Sequence, residues 1–393
     1  MSTFNYAFPD AEKFSRSFRS SYSYVTPELS PACYGNAMKL MKSISQCTTT
    51  PLTLSEIEKI LNVRDRCLRA PNQTTRKIGA KDASIARPLL ISEKGDVILA
   101  MTQTWAKGDK TLDQGFCKTI KLGVDLKTVK IKIVAVARLY RRKHHAKISN
   151  HITWARLPKE RAFLELFRNE REFVQLDFVV DTGKKVYFVM EYCNQSDIYY
   201  LSRTTPTEKN LLYLIRDYLT ALVKMHAKKV VHRDIKTENL FAHQETPGAP
   251  FSGKIGDMGD ACFEGDESSK KEFLCTERSC APEYAALRLV KYKSLKESED
   301  AHCKATTPKV DIFSMGCVIY VMFCGGGVFN FQKSYASIAH MNEQQALREI
   351  NHWLSRYDGK LQELIYNMIR RDPLERWTAE QALDHFNKYI FIE

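Results

Sequence analysis

The feature that most constrains the fold is a change of hydrophobic period near Cys193. Ahead of it the apolar residues come in short β-rich or alternating runs: Leu89-Leu90-Ile91, Val97-Ile98-Leu99 and Ile131 to Val136. Two more such runs flank Asp181-Thr182-Gly183, a hairpin signal. A single helical stretch, Thr153 to Phe167, interrupts them. Beyond Cys193 the period is helical over Glu208 to Ala227, Asp311 to Cys324, Gln344 to Tyr357, Leu361 to Ile369 and Ala379 to Asn387. No internal repeat relates these segments. A strand-rich front with one helix, followed by a helix-rich back, predicts an α+β chain of two lobes with a cleft between them.

Three stretches follow from this division. Residues 1–85 form an N-terminal extension. Its first 50 residues are rich in Ser, Tyr, Pro and Thr without a sustained period, which predicts loose order. A helix is expected over 53–69, opened by Thr53-Leu54-Ser55-Glu56 and striped by Ile57, Ile60, Leu61 and Leu68. Residues 86–192 make the small lobe and 193–393 the large one. The 11 cysteines are scattered singly, without metal-ligand spacing, and read as free thiols in a reducing compartment. Met1-Ser2-Thr3-Phe4-Asn5-Tyr6 lacks the basic-then-apolar start of a secretion signal. The most membrane-like run, Met315 to Phe329, is too short to span, is broken by Gly325-Gly326-Gly327, and reads as a buried core helix. A cytoplasmic location is expected, with translocation into a host cell left open. The net charge of +13 reads first as a solvated basic surface suited to handling an anionic ligand. Nucleic-acid binding is a weak alternative, and no membrane span is expected.

The chemistry concentrates in His232-Arg233-Asp234-Ile235-Lys236-Thr237-Glu238-Asn239-Leu240. Asp234 is a carboxylate able to orient a hydroxyl and take its proton. Lys236, two residues on, can neutralise charge developing on a phosphoryl group, and Asn239 offers a hard amide oxygen to Mg²⁺. This stretch resembles the catalytic loop of the eukaryotic-type protein kinases, H-R-D-x-K-x-x-N, and every fixed position matches. A Lys two after the Asp is typical of the Ser/Thr kinases. Lys254-Ile255-Gly256-Asp257-Met258-Gly259 resembles the family's D-F-G segment with Met for Phe, and Ala281-Pro282-Glu283 its A-P-E. The longer stretch from His243 to Gly253 reads as an enlarged hairpin loop.

The resemblance covers about Ile91 to Phe391. It implies the two-lobed kinase fold: a small antiparallel sheet with one helix, and a larger, mainly helical lobe. ATP and Mg²⁺ are the implied cofactors, and a protein Ser or Thr the implied acceptor. Asp234 and Lys236 become the catalytic pair, with Asn239 and Asp257 as metal ligands. Glu160 matches the glutamate of the small-lobe helix. Met190-Glu191-Tyr192-Cys193 resembles the hinge that meets adenine, with Met190 as gatekeeper. Thr276 lies in the activation segment, where Ser268, Ser269 and Ser279 are candidate phosphorylation sites that Arg233 could engage. Glu283 with Arg376 matches a buried ion pair, and Asp311 an aspartate that holds the catalytic-loop backbone. The mixed-charge stretch 291–307 reads as a surface loop. The extension invites a regulatory partner.

Two departures stand out. The phosphate loop keeps only Gly115 and Phe116, in Gln114-Gly115-Phe116-Cys117-Lys118. In Val134-Ala135-Val136-Ala137-Arg138, Ala137 stands where the family has the lysine that clamps the α- and β-phosphates. Ala135 and Ala137 share the cleft face by strand alternation, whereas Arg138 points away. Lys132 gives an alternative alignment. Three explanations compete: a Lys-to-Ala inactivated form of an active kinase, a natural pseudokinase acting as a scaffold, or a site completed by another lysine. A small-molecule kinase of related fold is a further rival, weakened by the A-P-E segment.

Overall fold

The computed structural model describes residues 89–91, 97–100, 118–125, 131–138, 152–181, 185–204, 206–265, 276, 279–291 and 294–391. The extension with its expected helix at 53–69, and Gly115, Phe116, Ser268 and Ser269, lie outside the described residues. The chain divides into two compact units, Met1–Pro158 with Leu176–Tyr192, and Lys159–Gln175 with Cys193–Glu393.

The first unit is built on strands β1 (Leu89–Ile91), β2 (Val97–Ala100), β3 (Lys118–Asp125), β4 (Ile131–Arg138), β5 (Leu176–Asp181) and β6 (Lys185–Glu191). They form one six-stranded sheet in the order β1-β2-β3-β4-β6-β5. Every neighbouring pair is antiparallel. Because strand side chains alternate, β4 divides into two sets. Val134 and Val136 pack with Tyr187 and Val189 of β6 into an apolar cluster that Phe178 and Val180 of β5 extend. Ala135 and Ala137 belong to the opposite face, in register with Phe188 and Val186. Both alanines are buried.

Helix α1 (Ile152–Leu166) contains Pro158, and the division between the units falls there. A proline inside a helix removes one N–H bond to the preceding turn, yet α1 runs through Pro158 as one helix. The remainder of α1 belongs to the second unit, where Phe163 and Phe167 are buried and Phe167 stacks on Phe173.

The second unit continues with α2 (Ile198–Leu201), α3 (Glu208–Ala227), β7 (Val230–Val231), a 3₁₀ turn (Thr237–Asn239), β8 (Leu240–His243), β9 (Ser252–Ile255), a 3₁₀ turn (Met258–Asp260) and β10 (Cys262–Phe263). Helices α4 (Pro282–Leu289), α5 (Leu295–Ala305), α6 (Pro308–Phe323), α7 (Tyr335–Ala339), α8 (Glu343–Trp353), α9 (Gly359–Met368) and α10 (Ala379–Tyr389) follow. Helix α3 starts where the Thr207 hydroxyl accepts from Asn210 N, with Glu208 in its first turn and Lys224 and His226 in its last. That order suits both the unpaired N–H groups and the helix dipole. Its buried residues Leu211, Leu214, Ile215, Tyr218, Leu222 and Met225 recur at helical spacing and face β9 and α10. Gly253 allows this approach, since a Cβ there would meet the Tyr218 ring at 2.7 Å.

Helix α6 opens on Pro308 and is buried on all sides from Val310 to Phe323. It is the core helix that its apolar run predicts, beginning before Asp311. Among the described residues no helix is long and apolar enough to cross a membrane.

Two expectations need correction. The stretch 291–307 is not a loop: α5 fills most of it, opened by Ser294, whose hydroxyl accepts from Glu297 N at 3.2 Å. Its mixed charges hide a helix because it buries little, so apolar period is a poor guide there. The thiols are not all free either. Cys193, Cys262, Cys303, Cys317 and Cys324 are, but Cys280 is disulfide-bonded.

Candidate active site

The loop after β7 is held by a buried carboxylate. Asp311, near the start of α6 and 1% exposed, accepts the backbone N–H of His232 at 2.8 Å and of Arg233 at 2.9 Å. Its Oδ2 also lies 3.1 Å from His226 Nε2, which donates to it. Arg233 takes a left-handed conformation, φ +67°. That conformation costs a non-glycine residue on the order of 1–3 kcal/mol and persists only where the surroundings impose it. Asp311 holds the Arg233 backbone, and the carbonyl of Asp260 accepts from Arg233 Nε at 2.7 Å. His232 ties the loop to the next element. Its Nε2 donates to the Gly256 carbonyl at 3.1 Å, and its Nδ1 accepts from Asp234 N at 3.3 Å.

Within this frame both carboxylate oxygens of Asp234 are engaged. Oδ2 accepts from Lys236 Nζ at 2.6 Å and from Asn239 Nδ2 at 3.1 Å. Oδ1 accepts from the Thr276 hydroxyl at 2.6 Å, and that hydroxyl accepts in turn from Lys236 Nζ at 3.2 Å. Asn239 Nδ2 also donates to the Asp234 carbonyl at 2.8 Å. Asp234 and Asn239 are buried and Lys236 is partly so. Burial works against the Lys236 ammonium, but the Asp234 carboxylate, aided by Asp257 and Glu238, holds its pKa above the usual lysine range. The structure thus brings Asp234, Lys236, Asn239 and Thr276 together.

Asp257 follows β9 and is also left-handed, φ +54°. Gly256 N donates to the Asn239 carbonyl at 3.0 Å, which joins the start of this turn to the end of the loop. Met258 is fully buried. A Cβ on Gly259 would come within 3.3 Å of Asp257 Oδ1 and 3.8 Å of Glu160 Oε2, so both carboxylates line the space beside this glycine. Glu160 is buried, 3% exposed. The donor set fits Mg²⁺. Asp257 supplies carboxylate oxygens, and Asn239, its nitrogen committed to Asp234, turns its amide oxygen the other way. Among the described residues no group of three or more His, Cys, Asp or Glu forms a closed metal cage. Mg²⁺ needs none, since it is commonly held by one or two protein oxygens together with waters and substrate phosphates.

The chain from Thr276 to Glu283 is pinned at its far end. Ser279 N donates to the Thr276 carbonyl at 3.0 Å, and the Ser279 carbonyl accepts from Ser314 Oγ of α6 at 2.6 Å. Ser279 is 8% exposed, so its candidacy for phosphorylation would require this segment to open. Glu283 and Arg376 form a bidentate pair at 2.8 and 3.0 Å. The Arg376 side chain is wholly buried, and its guanidinium also donates to the carbonyls of Lys309, Arg370 and Arg371.

In the first unit, Met190 shares the sheet face of Ala135 and Ala137, being in register with Ile133. Glu191 is in register with Lys132. Lys132 lies on the other face, with its ammonium 2.6 Å from Asp177 Oδ2, so it is poorly placed for the role that the alternative alignment gives it. Cys193 opens the next stretch of the second unit, where its carbonyl accepts from Ser196 N at 3.4 Å. No sequence motif singles out Lys118, which pairs in register with Ala137 and whose ammonium stands 5.8 Å from the centre of the Phe188 ring. Only the cross-strand register of the folded sheet brings it out.

Asp197, also passed over, caps α2 by accepting from Tyr200 N at 2.8 Å. Burial, with a contribution from Glu238, pushes its carboxyl up to about 6, against its bond from Tyr200. Between about pH 4 and 6 the native chain therefore keeps a proton that the unfolded chain has released. Stability from this group is complete below the unfolded value of 3.8 and is lost as pH rises through about 6. The loss is about 3 kcal/mol. Asp197→Asn, which keeps an acceptor for Tyr200 and cannot ionise, should melt close to the parent at pH 4 and several degrees above it at pH 8. A melting difference that stays flat with pH would contradict this.

A family model described as "Protein kinase domain" matches residues 110–387. A Plasmodium falciparum protein named "Probable serine/threonine-protein kinase 2" is 32% identical over 209 residues, which are 51% of this chain and 36% of that protein. The Danio rerio "Maternal embryonic leucine zipper kinase" is 27% identical over 235 residues, 58% of this chain and 31% of that protein. The chain spans about a third of the length of these relatives.

Proposed function

The chain belongs to the protein kinase domain family, and on that premise we propose that it transfers the γ-phosphoryl group of ATP to a Ser or Thr hydroxyl of a protein. The observation that carries this reading is the arrangement around Asp234, a carboxylate held by Lys236, Asn239 and Thr276. Asp234 orients the acceptor hydroxyl and takes its proton. Lys236 places positive charge where negative charge grows on the transferred group, and its raised pKa keeps it cationic. Asn239 and Asp257 would hold Mg²⁺. ATP supplies the phosphoryl group and Mg²⁺ offsets its charge. Backbone groups around Met190, Glu191 and Cys193 receive adenine, and Ala135 and Ala137 floor the nucleotide site. Glu160, beside Asp257, is a positioning residue.

Residues 86–192 serve nucleotide binding, residues 193–393 serve chemistry and the protein substrate, and residues 1–85 take a regulatory partner. Phosphorylation of Ser268 or Ser269 would act through Arg233. A cytoplasmic setting suits the substrate class.

The test offers the full chain γ-labelled ATP and Mg²⁺ with a Ser/Thr peptide library, and separately with small alcohols such as choline and aminoglycosides. Label on peptide Ser or Thr, absent from Asp257→Asn, is the expected result. Label confined to a small alcohol would replace the protein acceptor. Nucleotide binding without any transfer would favour the scaffold reading that Ala137 motivates.

A further inference from the structure

We propose that Lys118, on the strand next to Ala137, supplies the phosphate-clamping ammonium that β4 lacks, so that the nucleotide site is complete. This rests on the phosphoryl-transfer reading above and names one of its binding residues.

Residues paired directly across an antiparallel sheet project from the same face, with Cβ atoms about 5 Å apart. Lys118 pairs with Ala137 across β3–β4, and Ala137 pairs with Val186 across β4–β6. One step along, Ile120, Ala135 and Phe188 form the next row of the same face. The Lys118 ammonium stands 5.8 Å from the centre of the Phe188 ring. Phe188 lies on β6, two strands from Lys118, so the two side chains meet across β4. That brings the ammonium to the sheet face from which Ala137 projects. A lysine's four-carbon stem is long and flexible enough to make up a one-strand displacement of its root.

The pairing also accounts for Ala137. A lysine at 137 would face Lys118 directly, and like charges opposite one another in a sheet are destabilising. A small residue there leaves room for the lysine stem, consistent with the full burial of Ala137. The other lysine on these strands that sequence alone nominates, Lys132, lies on the opposite face in an ion pair with Asp177. The alanine is then the companion of a relocated lysine rather than a lesion.

Two measurements on the full chain test this. An acyl-phosphate derivative of ATP acylates the amine lying against its phosphates, with release of ATP. Peptide mapping should find the acyl group on Lys118, whereas its appearance on Lys132 instead would overturn the proposal. Lys118→Met should weaken fluorescent-ATP binding by about 10- to 100-fold, the value of a charge-assisted contact. Adenosine, which lacks phosphates, should bind as before and so report an intact sheet. Ala137→Lys alone should gain nothing. Combined with Lys118→Met it should recover affinity, because it returns the charge to the same face from the neighbouring strand. A parent that binds and transfers phosphate while Lys118→Met does both equally well would refute the role of Lys118 alone. A parent that binds no ATP would refute the kinase reading with it.

Discussion

Asp234→Asn is expected to lower phosphoryl transfer by about 100- to 10,000-fold, the usual worth of a positioned general base, while leaving ATP affinity and the melting midpoint near those of the parent. The side chains are nearly isosteric, and the surrounding hydrogen bonds can be kept. An asparagine carbonyl in place of Oδ2 still accepts from Lys236 and Asn239, and its NH₂ can donate to the Thr276 hydroxyl that formerly donated to Oδ1. What disappears is the charge and the basic oxygen. Lys236 also loses the carboxylate that holds its pKa up, so its titration should move down in the variant, which reports that the charge has gone from beside it. The measurement is kcat on a peptide acceptor, with nucleotide affinity and thermal midpoint beside it. Transfer within tenfold of the parent would remove Asp234 from the chemistry.

Much of this site is legible in sequence because its parts are close together in the chain. Asp234, Lys236 and Asn239 lie within six residues, and a turn that short can bring them together with little help from the rest of the fold. Asp311 and Arg376 are far away and are legible only through the family resemblance; their partners on the catalytic-loop backbone and at Glu283 have no local signature. Lys118 escaped for a different reason. Its relation to Ala137 depends on the register of a hairpin, and a one-residue slip would send it to the opposite face. Alternation along β4 sorts Ala137 from Lys132, but only the cross-strand pairing selects Lys118. Helix α5 was missed because its local capping, Ser294 to Glu297, is a weaker signal than an apolar stripe. Asp197 gives no sequence clue to its raised pKa, which comes from burial against residues brought in by folding.

Arg376→Ala should be among the most damaging single changes in the second unit, costing about 3–5 kcal/mol as the loss of one partner from a buried ion pair. For a unit of this size that is on the order of 10 °C in melting midpoint. The guanidinium is wholly buried and bridges the Glu283 carboxylate, the Lys309 carbonyl at the start of α6, and the Arg370 and Arg371 carbonyls after α9. Its removal strands Glu283 without its partner at the start of α4. The consequence should reach chemistry as well as stability. Glu283 anchors the end of the segment that begins at Thr276, and Thr276 donates to Asp234. Arg376→Ala should therefore lower kcat even at temperatures where the chain remains folded. Adding Glu283→Gln removes the unpaired charge and should restore part of the lost midpoint, because a neutral amide is cheaper to bury than a lone carboxylate. Strictly additive losses in the double variant would show that the pair is not coupled, and an unchanged kcat in folded Arg376→Ala would break the link from this anchor to Asp234.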